Sequence, residues 1–168
     1  MIRPARPGDV PAVVALVREL ARYERAAHEV RLTEQALADA LFREHPAVSC
    51  HVADVDGETV GFALWFLTFS TWLGRHGIYL EDLYVRPEHR GAGHGRALLA
   101  SLARTCAERG YGRLEWWVLD WNTPAHGFYR RLGAAPMDDW TVWRMTGDAL
   151  ESLGTGARAA EPENRPAP

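Results

Sequence analysis

Ile78-Tyr79-Leu80-Glu81-Asp82-Leu83-Tyr84-Val85, followed after Arg86-Pro87 by Arg90-Gly91-Ala92-Gly93-His94-Gly95, is the stretch on which the reading of this chain turns. Its first part is apolar apart from two adjacent carboxylates, which predicts a long strand stopped by Arg86-Pro87. The glycines predict a loop. Leu98, Leu99, Leu102 and Cys106 then recur at helical spacing, and Gly110 ends that helix near Arg109. Strand, glycine loop and helix together suit a diphosphate. Glycines let the backbone approach a ligand, and a helix start offers unpaired N–H donors and a positive dipole end. A loop of this kind also arises simply as a tight turn. Other phosphate loops lack a required piece. There is no Lys for the pattern G-x-x-x-x-G-K-[ST], and Arg96 stands three residues after Gly93, where G-x-G-x-x-G needs a glycine.

Outward from this stretch the chain alternates helices and strands. Ile2 to Arg6 is a short extended start. Asp9 suits a helix N-cap, with Pro11 in the first turn. Val13, Leu16, Val17, Leu20 and Ala21 form the apolar stripe of that helix, and Glu24 falls on the same stripe. A second helix is predicted from Thr33 to about Glu44. Val48 to Val55 and Thr59 to about Phe69 read as strands joined by the hairpin dipeptide Asp56-Gly57. Ser70 to Gly77 reads as a loop carrying Trp72. Leu114 to Leu119 reads as a strand, Asn122-Thr123-Pro124 opens a helix ending near Leu132-Gly133, and Trp140 to Met145 reads as a last strand. The order β α α β β β α β α β predicts a mixed α/β sheet. Residues 1–153 make one domain, and the Gly-, Ala-, Pro- and Glu-rich segment 154–168 reads as a disordered tail.

Composition excludes several classes. A chain of 168 residues with 47% hydrophobic and 24% charged residues is an ordinary globule. No apolar run approaches the roughly 20 residues of a membrane span. The start Met1-Ile2-Arg3-Pro4 has no apolar segment of signal-peptide length, so a cytoplasmic protein is expected. The net charge of −3 and the absence of a basic stripe argue against nucleic acid. Cys50 and Cys106 stand apart without C-x-x-C spacing, and none of the seven histidines forms an H-E-x-x-H pair, so no disulfide framework or metal is expected.

Arg90-x-x-Gly93-x-Gly95 after an apolar strand resembles the acyl-CoA-binding motif of the GNAT N-acetyltransferases. Asn122-Thr123-Pro124-Ala125 and Phe128-Tyr129-Arg130-Arg131-Leu132-Gly133 resemble that family's second motif. Tyr23-Glu24, Tyr79-Leu80-Glu81-Asp82, Val118-Leu119-Asp120-Trp121-Asn122 and Trp140 are similar to the spermidine/spermine (diamine) and thialysine acetyltransferase branch. The resemblance covers about residues 2–146. It implies the GNAT acyl-CoA N-acyltransferase fold, a mixed and strongly twisted sheet flanked by helices, with acetyl-CoA in a V-shaped opening between two parallel strands. Leu83, Tyr84 and Val85 would offer backbone groups to the pantetheine arm. Arg90, Gly91, Ala92, Gly93, His94, Gly95 and Arg96 would hold the diphosphate. Asn122, Thr123, Pro124 and Ala125 would contact the cofactor from the next helix, and Tyr129 would stand near its sulfur. The resemblance also implies a homodimer paired through the C-terminal strand region.

The candidate chemistry is then direct transfer of acetyl to a primary amine of a small molecule. Glu81 is the candidate base, because partial burial of a carboxylate moves its pKa toward the working range. Strand alternation is expected to send Glu81 and Asp82 to opposite faces, and a solvent-facing strand end is the competing account. The resemblance makes Tyr129 the acid that protonates the departing thiolate, a tyrosine in this setting being otherwise a core residue. For a cationic acceptor, the candidates are Tyr23, Glu24, Asp82, Trp72, Glu115, Trp116, Trp117 and, with a small gap, Asp138. The polyamine-acetylating branch carries an acid two positions before the loop Trp, where this chain has Ser70, which weakens the case for a long polycation. The alternatives are an acyl-CoA-binding module without transfer activity and a transferase acting on a protein or antibiotic amine.

Overall fold

The computed structural model describes residues 1–156, and the chain divides into two compact units, Met1–Leu119 and Asp120–Pro168. Most of the expected tail, residues 157–168, lies outside the described residues.

The first unit is built on a five-stranded sheet in the order β1 (Ile2–Pro4), β2 (Ser49–Val55), β3 (Glu58–Ser70), β4 (Arg75–Val85) and β5 (Leu114–Glu115). The first three pairings are antiparallel and the last is parallel. Asp56 and Gly57 both have positive φ, 51° and 86°, the conformation a two-residue hairpin of matching twist requires. The loop expected from Ser70 to Gly77 is shorter than its composition suggests, because β4 begins at Arg75.

Helix α1 (Val10–Tyr23) places Val10, Val13, Val14 and Leu16 against one face of the sheet. Leu37 and Leu41 of α2 (Glu34–Phe42) join them over Cys50, Val52, Phe62, Leu64 and Tyr84. Helix α2 starts as its sequence predicts, with Thr33 Oγ1 accepting from Ala36 N at 3.1 Å. Sheet residues of opposite parity, among them Ala53, Ala63, Trp65, Ile78 and Leu80, are also buried. Helix α3 (His94–Arg109) packs on the sheet and buries Leu98, Leu99, Leu102 and Cys106.

Asp9 stands at the N-cap position of α1, yet its side chain does not cap that helix. It is buried and accepts from Arg3 Nη1 and Nη2 at 2.7 and 2.9 Å, from Arg6 N at 2.7 Å and from Thr59 Oγ1 at 3.0 Å. Arg3 also reaches Asp54 Oδ2 at 2.8 Å. An ionised carboxylate is tolerated in this position because all its neighbours are donors.

In the second unit, α4 (Thr123–Arg131) follows the N-cap Asn122, whose Oδ1 accepts from Ala125 N at 3.4 Å. It stops at Leu132, and Gly133 takes a left-handed φ of 88°. Two sequence expectations are corrected here. Residues 140–145 form no strand, and the chain instead makes an unforeseen helix, α5 (Gly147–Thr155), that runs past the expected domain boundary. An apolar run becomes a strand only beside a partner strand, and none pairs with it among the described residues. In the first unit, β5 likewise covers only Leu114–Glu115 of the expected Leu114 to Leu119.

Candidate active site

The register between β3 and β4 decides where the two carboxylates point. Phe66 pairs with Tyr79, Trp65 with Leu80 and Leu64 with Asp82, which leaves Glu81 as the extra residue of a β-bulge. Phe66 and Leu64 are two apart on β3 and share a face, so Tyr79 and Asp82 share it too although three residues separate them. Glu81, two residues from Tyr79, lies on that same side. The expectation that Glu81 and Asp82 face opposite ways is therefore corrected: the bulge absorbs the alternation and turns both toward the α1 side of the sheet.

The electrostatics agree with this placement. Asp82 is half-buried and its carboxyl is raised to about 6, first by burial and then by the negative charges of Glu81 and Glu24. Glu24, at the C-cap of α1, is half-buried, and its carboxyl is raised by loss of solvent. Glu81 is exposed. Three carboxylates from two elements thus converge on one place, which suits an approaching cation.

The next row of the same face is aromatic. Tyr79 lies 5.1 Å from Phe66 and meets Trp117 edge-on, with centroids 5.6 Å apart and planes at 85°. Phe66 was not singled out in the sequence, and Tyr79 was named there only within a branch-like segment and given no role, although two-residue alternation back from Glu81 leads directly to it. Glu115 is in register with Tyr79 and is held by Arg113, Nε to Oε2 at 2.6 Å. Arg113 was missed as well. Trp116 is half-buried, and Trp72 is 88% exposed in the turn before β4. Ser70, at the place where an acid was missed, is buried and its Oγ accepts from Leu73 N at 3.2 Å.

The parallel ladder between β4 and β5 pairs only Ile78 with Leu114 and Tyr79 with Glu115. Leu80 to Val85 therefore run on with no rung to β5, and Leu83, Tyr84 and Val85 lie in this stretch. The glycine loop follows. Gly91 and Gly93 have φ of 81° and 86°, and a Cβ at either would meet nothing within 4 Å. Gly93 is the N-cap of α3 and offers no side-chain cap, so the amides of the first turn, including those of His94, Gly95 and Arg96, have no acceptor from a capping side chain. An extended acyl-thioester with a diphosphate fits this combination of an unpaired strand edge and an open, uncapped helix start. Ala92 and Arg96 are exposed, and His94 and Gly95 are half-buried. The Arg90 side chain is engaged within the protein. Its Nε donates to Val85 O at 2.8 Å, and its guanidinium lies over the rings of Tyr23 and Tyr84 at 5.5 and 5.3 Å.

The remaining sequence-predicted residues lie in the second unit. Asn122, Thr123, Pro124 and Ala125 make the first turn of α4. Tyr129 is half-buried on that helix, its ring 5.2 Å from Phe128. Asp138 is exposed in a turn. Neither cysteine is poised as a nucleophile. Both are buried free thiols, with Cys50 pushed up to about 12 and Cys106 raised, each chiefly by burial. No metal-binding group of His, Cys, Asp and Glu occurs among the described residues, nor is any helix among them long and apolar enough to cross a membrane.

The model of the acetyltransferase (GNAT) family matches residues 13–134. The chain is 39% identical over 164 residues to a thialysine N-epsilon-acetyltransferase of Bos taurus, covering 91% of this chain and 96% of that one. It is 30% identical over 197 residues to an L-ornithine N5-acetyltransferase of Arabidopsis thaliana, covering 90% and 86%. Among solved structures, an integron cassette protein from the mobile metagenome of V. cholerae is similar with a TM-score of 0.76 at 28% identity, over 92% of this chain and 96% of that one.

Proposed function

Because this chain belongs to the acetyltransferase (GNAT) family, we propose that it transfers acetyl from acetyl-CoA to the primary amine of a small, cationic acceptor. The observation that carries the proposal is the bulge at Glu81, which gathers Glu24, Glu81 and Asp82 where β4 runs on beyond β5. The thialysine and ornithine acetyltransferases among its relatives support an acceptor bearing an amino group at the end of a short chain.

Bound acetyl-CoA supplies an acetyl group already activated as a thioester. Leu83, Tyr84 and Val85 would bind its pantetheine arm through backbone groups, and the amides from Gly91 to Arg96 would hold its diphosphate. Asn122 to Ala125 and Tyr129 are cofactor contacts only as the family resemblance implies them. Glu81 takes a proton from the acceptor ammonium, directly or through water, and so frees the lone pair that attacks the thioester carbonyl. By the family resemblance, Tyr129 would be the acid that protonates the departing sulfur. Attack is direct, in a complex of both substrates. The thiols of Cys50 and Cys106, held protonated by burial, accord with a route that forms no acyl-enzyme. Tyr23, Glu24, Asp82, Trp72, Glu115, Trp116 and Trp117 would shape the acceptor side. We place the protein in the cytoplasm, where two free thiols persist reduced. We also propose a homodimer, on the exposure of Trp140, Val142, Trp143 and Met145 in one run of the second unit. Light scattering that finds only monomer would remove it.

The test is release of free thiol from acetyl-CoA across diamines, polyamines, lysine analogues and aminoglycosides. Release with a short amine is expected. Glu81→Gln lowers kcat several-fold or more and alters the pH–rate profile. Tyr129→Phe lowers kcat with little change in acetyl-CoA affinity. Tight binding of CoA with no thiol release from any amine would instead favour a binding module.

A further inference from the structure

We propose that Arg90 is a positioning residue, whose guanidinium ties the glycine loop to the end of α1 and so sets Tyr23 and Glu24 for the acceptor when the loop is filled. This rests on acetyl-CoA in the loop and on Glu24 serving the acceptor, and it adds what joins the two places.

Arg90 opens the glycine loop, its N–H donating to Pro87 O at 3.1 Å and Gly91 following at a φ of 81°. Its side chain is exposed yet engaged three times. Nε donates to Val85 O at the end of β4 at 2.8 Å. The guanidinium lies 5.3 Å from the ring of Tyr84 on β4 and 5.5 Å from that of Tyr23, the last residue of α1. A flat guanidinium stacks on a ring while its edge donates, which an ammonium does less well. A diphosphate would have to compete with all three contacts. Arg96 suits that anion better. It is exposed in the first turn of α3, where a cation stands against the positive end of the helix until an anion offsets both.

The far side of the tie is anchored. Glu19, four residues before Tyr23 on α1, accepts from Arg86 Nε at 3.3 Å. Tyr84 is buried, with the Glu19 carboxylate near its hydroxyl. The helix is thus fixed against β4 at Glu19, and its last turn is the part left to respond. That turn holds a costly conformation. Arg25 has a φ of 63°, the left-handed region that residues other than glycine adopt under constraint. The amides of Glu24, Arg25 and Ala26 close it on Leu20 O, Arg22 O and Ala21 O at 2.9, 3.1 and 2.8 Å. Glu24 stands between Tyr23 and Arg25, and its charge reaches Asp82. Contacts therefore run from the glycine loop through Arg90 and Tyr23 to the acceptor carboxylates. Filling the loop tightens the acceptor side, and the acceptor tightens the loop by the same factor.

The experiment adds CoA to isotope-labelled protein and follows amide resonances. In the wild-type protein those of Glu24, Arg25 and Ala26 are expected to shift in step with those of Gly91 to Arg96. In Arg90→Gln the loop resonances still shift and those of the α1 end do not. Arg90→Lys keeps the charge, loses the flat fork and is expected to behave as Arg90→Gln. Arg90→Gln leaves the salt dependence of CoA binding as in the wild-type protein, whereas Arg96→Gln flattens it. With thialysine as acceptor, Arg90→Gln raises the acceptor's KM about fivefold, while the Kd of CoA alone stays within about twofold. Tyr23→Leu removes the same shifts, and the double variant loses nothing further. Shifts at the α1 end that persist in Arg90→Gln, that return with lysine, or that are missing from the wild-type protein would overturn the tie. A flattened salt dependence in Arg90→Gln would return Arg90 to the diphosphate. Absence of thiol release from every amine would overturn acetyl transfer, and the CoA shifts would still decide the tie. No shift anywhere on adding CoA would overturn the cofactor reading and this inference together.

Discussion

Asp82 is a carboxylate that the fold holds at a cost. Its pKa is raised from 3.8 to about 6, so between those values the folded protein keeps a proton that the unfolded chain has already lost. Stability therefore falls as pH rises from about 4 to about 6 and stays lower above. The full difference is about two pKa units, or on the order of 3 kcal/mol. Asp82→Asn is expected to stabilise the protein by about 1–3 kcal/mol at pH 7 and by little below pH 4, as urea denaturation at the two pH values would read. An equal effect at both would remove burial as the cause. At this scale the sequence was partly legible. Glu81 and Asp82 stood out as charges in an apolar strand, and Glu24 as a charge on an apolar stripe. Their convergence was hidden, because alternation is a property of an unbroken ladder and nothing in Leu80-Glu81-Asp82 announces a bulge. Arg113 was equally hidden, since it enters only through the ion pair it makes with Glu115.

Among the elements, the pairing of β3 with β4 sets the line of the site, and Gly61 is a tight point in it. A Cβ there would stand 2.8 Å from Tyr84 O, 3.0 Å from Val85 Cγ2 and 3.3 Å from Val85 Cα. Backbone cannot yield as a flexible side chain does, so Gly61→Ala is expected to cost about 1–3 kcal/mol by overpacking. It should also weaken acetyl-CoA binding, because Tyr84 and Val85 would be displaced. Thermal melting and isothermal titration of CoA measure the two effects, and unchanged binding in a folded variant would separate this strand from the cofactor. The helices and hairpins were read with small errors because capping residues, Asp-Gly and apolar spacing are local signals. The end of the chain was misread because a strand is made by its neighbour. Trp140 to Met145 has strand-like composition without a paired strand among the described residues, and the helix over Gly147–Thr155 was passed over although Thr146 stands at its N-cap and Asp148 in its first turn, the Thr146 side chain making no capping hydrogen bond.

For the molecule as a whole, Asp9 ties the start of the chain to the sheet. Its carboxylate joins Arg3 of β1 to Thr59 of β3 at the head of α1, and Arg3 carries the link on to Asp54 of β2. These donors hold Asp9 down to about 2, with the Arg3 guanidinium first among them. Here the folded pKa lies below the ordinary 3.8, so the stabilisation is present above that value and is lost as pH falls through about 2. Asp9→Asn is expected to destabilise the protein at pH 7 by about 2–4 kcal/mol and to flatten its acid denaturation curve. A variant that unfolds in acid as the wild-type protein does would show that other carboxylates govern the transition.

The two-rung ladder between β4 and β5 has a further consequence. Alternate amides along a strand point to opposite edges, so among those of Leu80 to Val85 the set facing β3 is tied into a ladder while the other set faces the edge that β5 leaves uncovered. In deuterated buffer this one strand should show two exchange clocks, slow and fast in alternation. A ligand lying along the uncovered edge would bring the fast set into step with its neighbours.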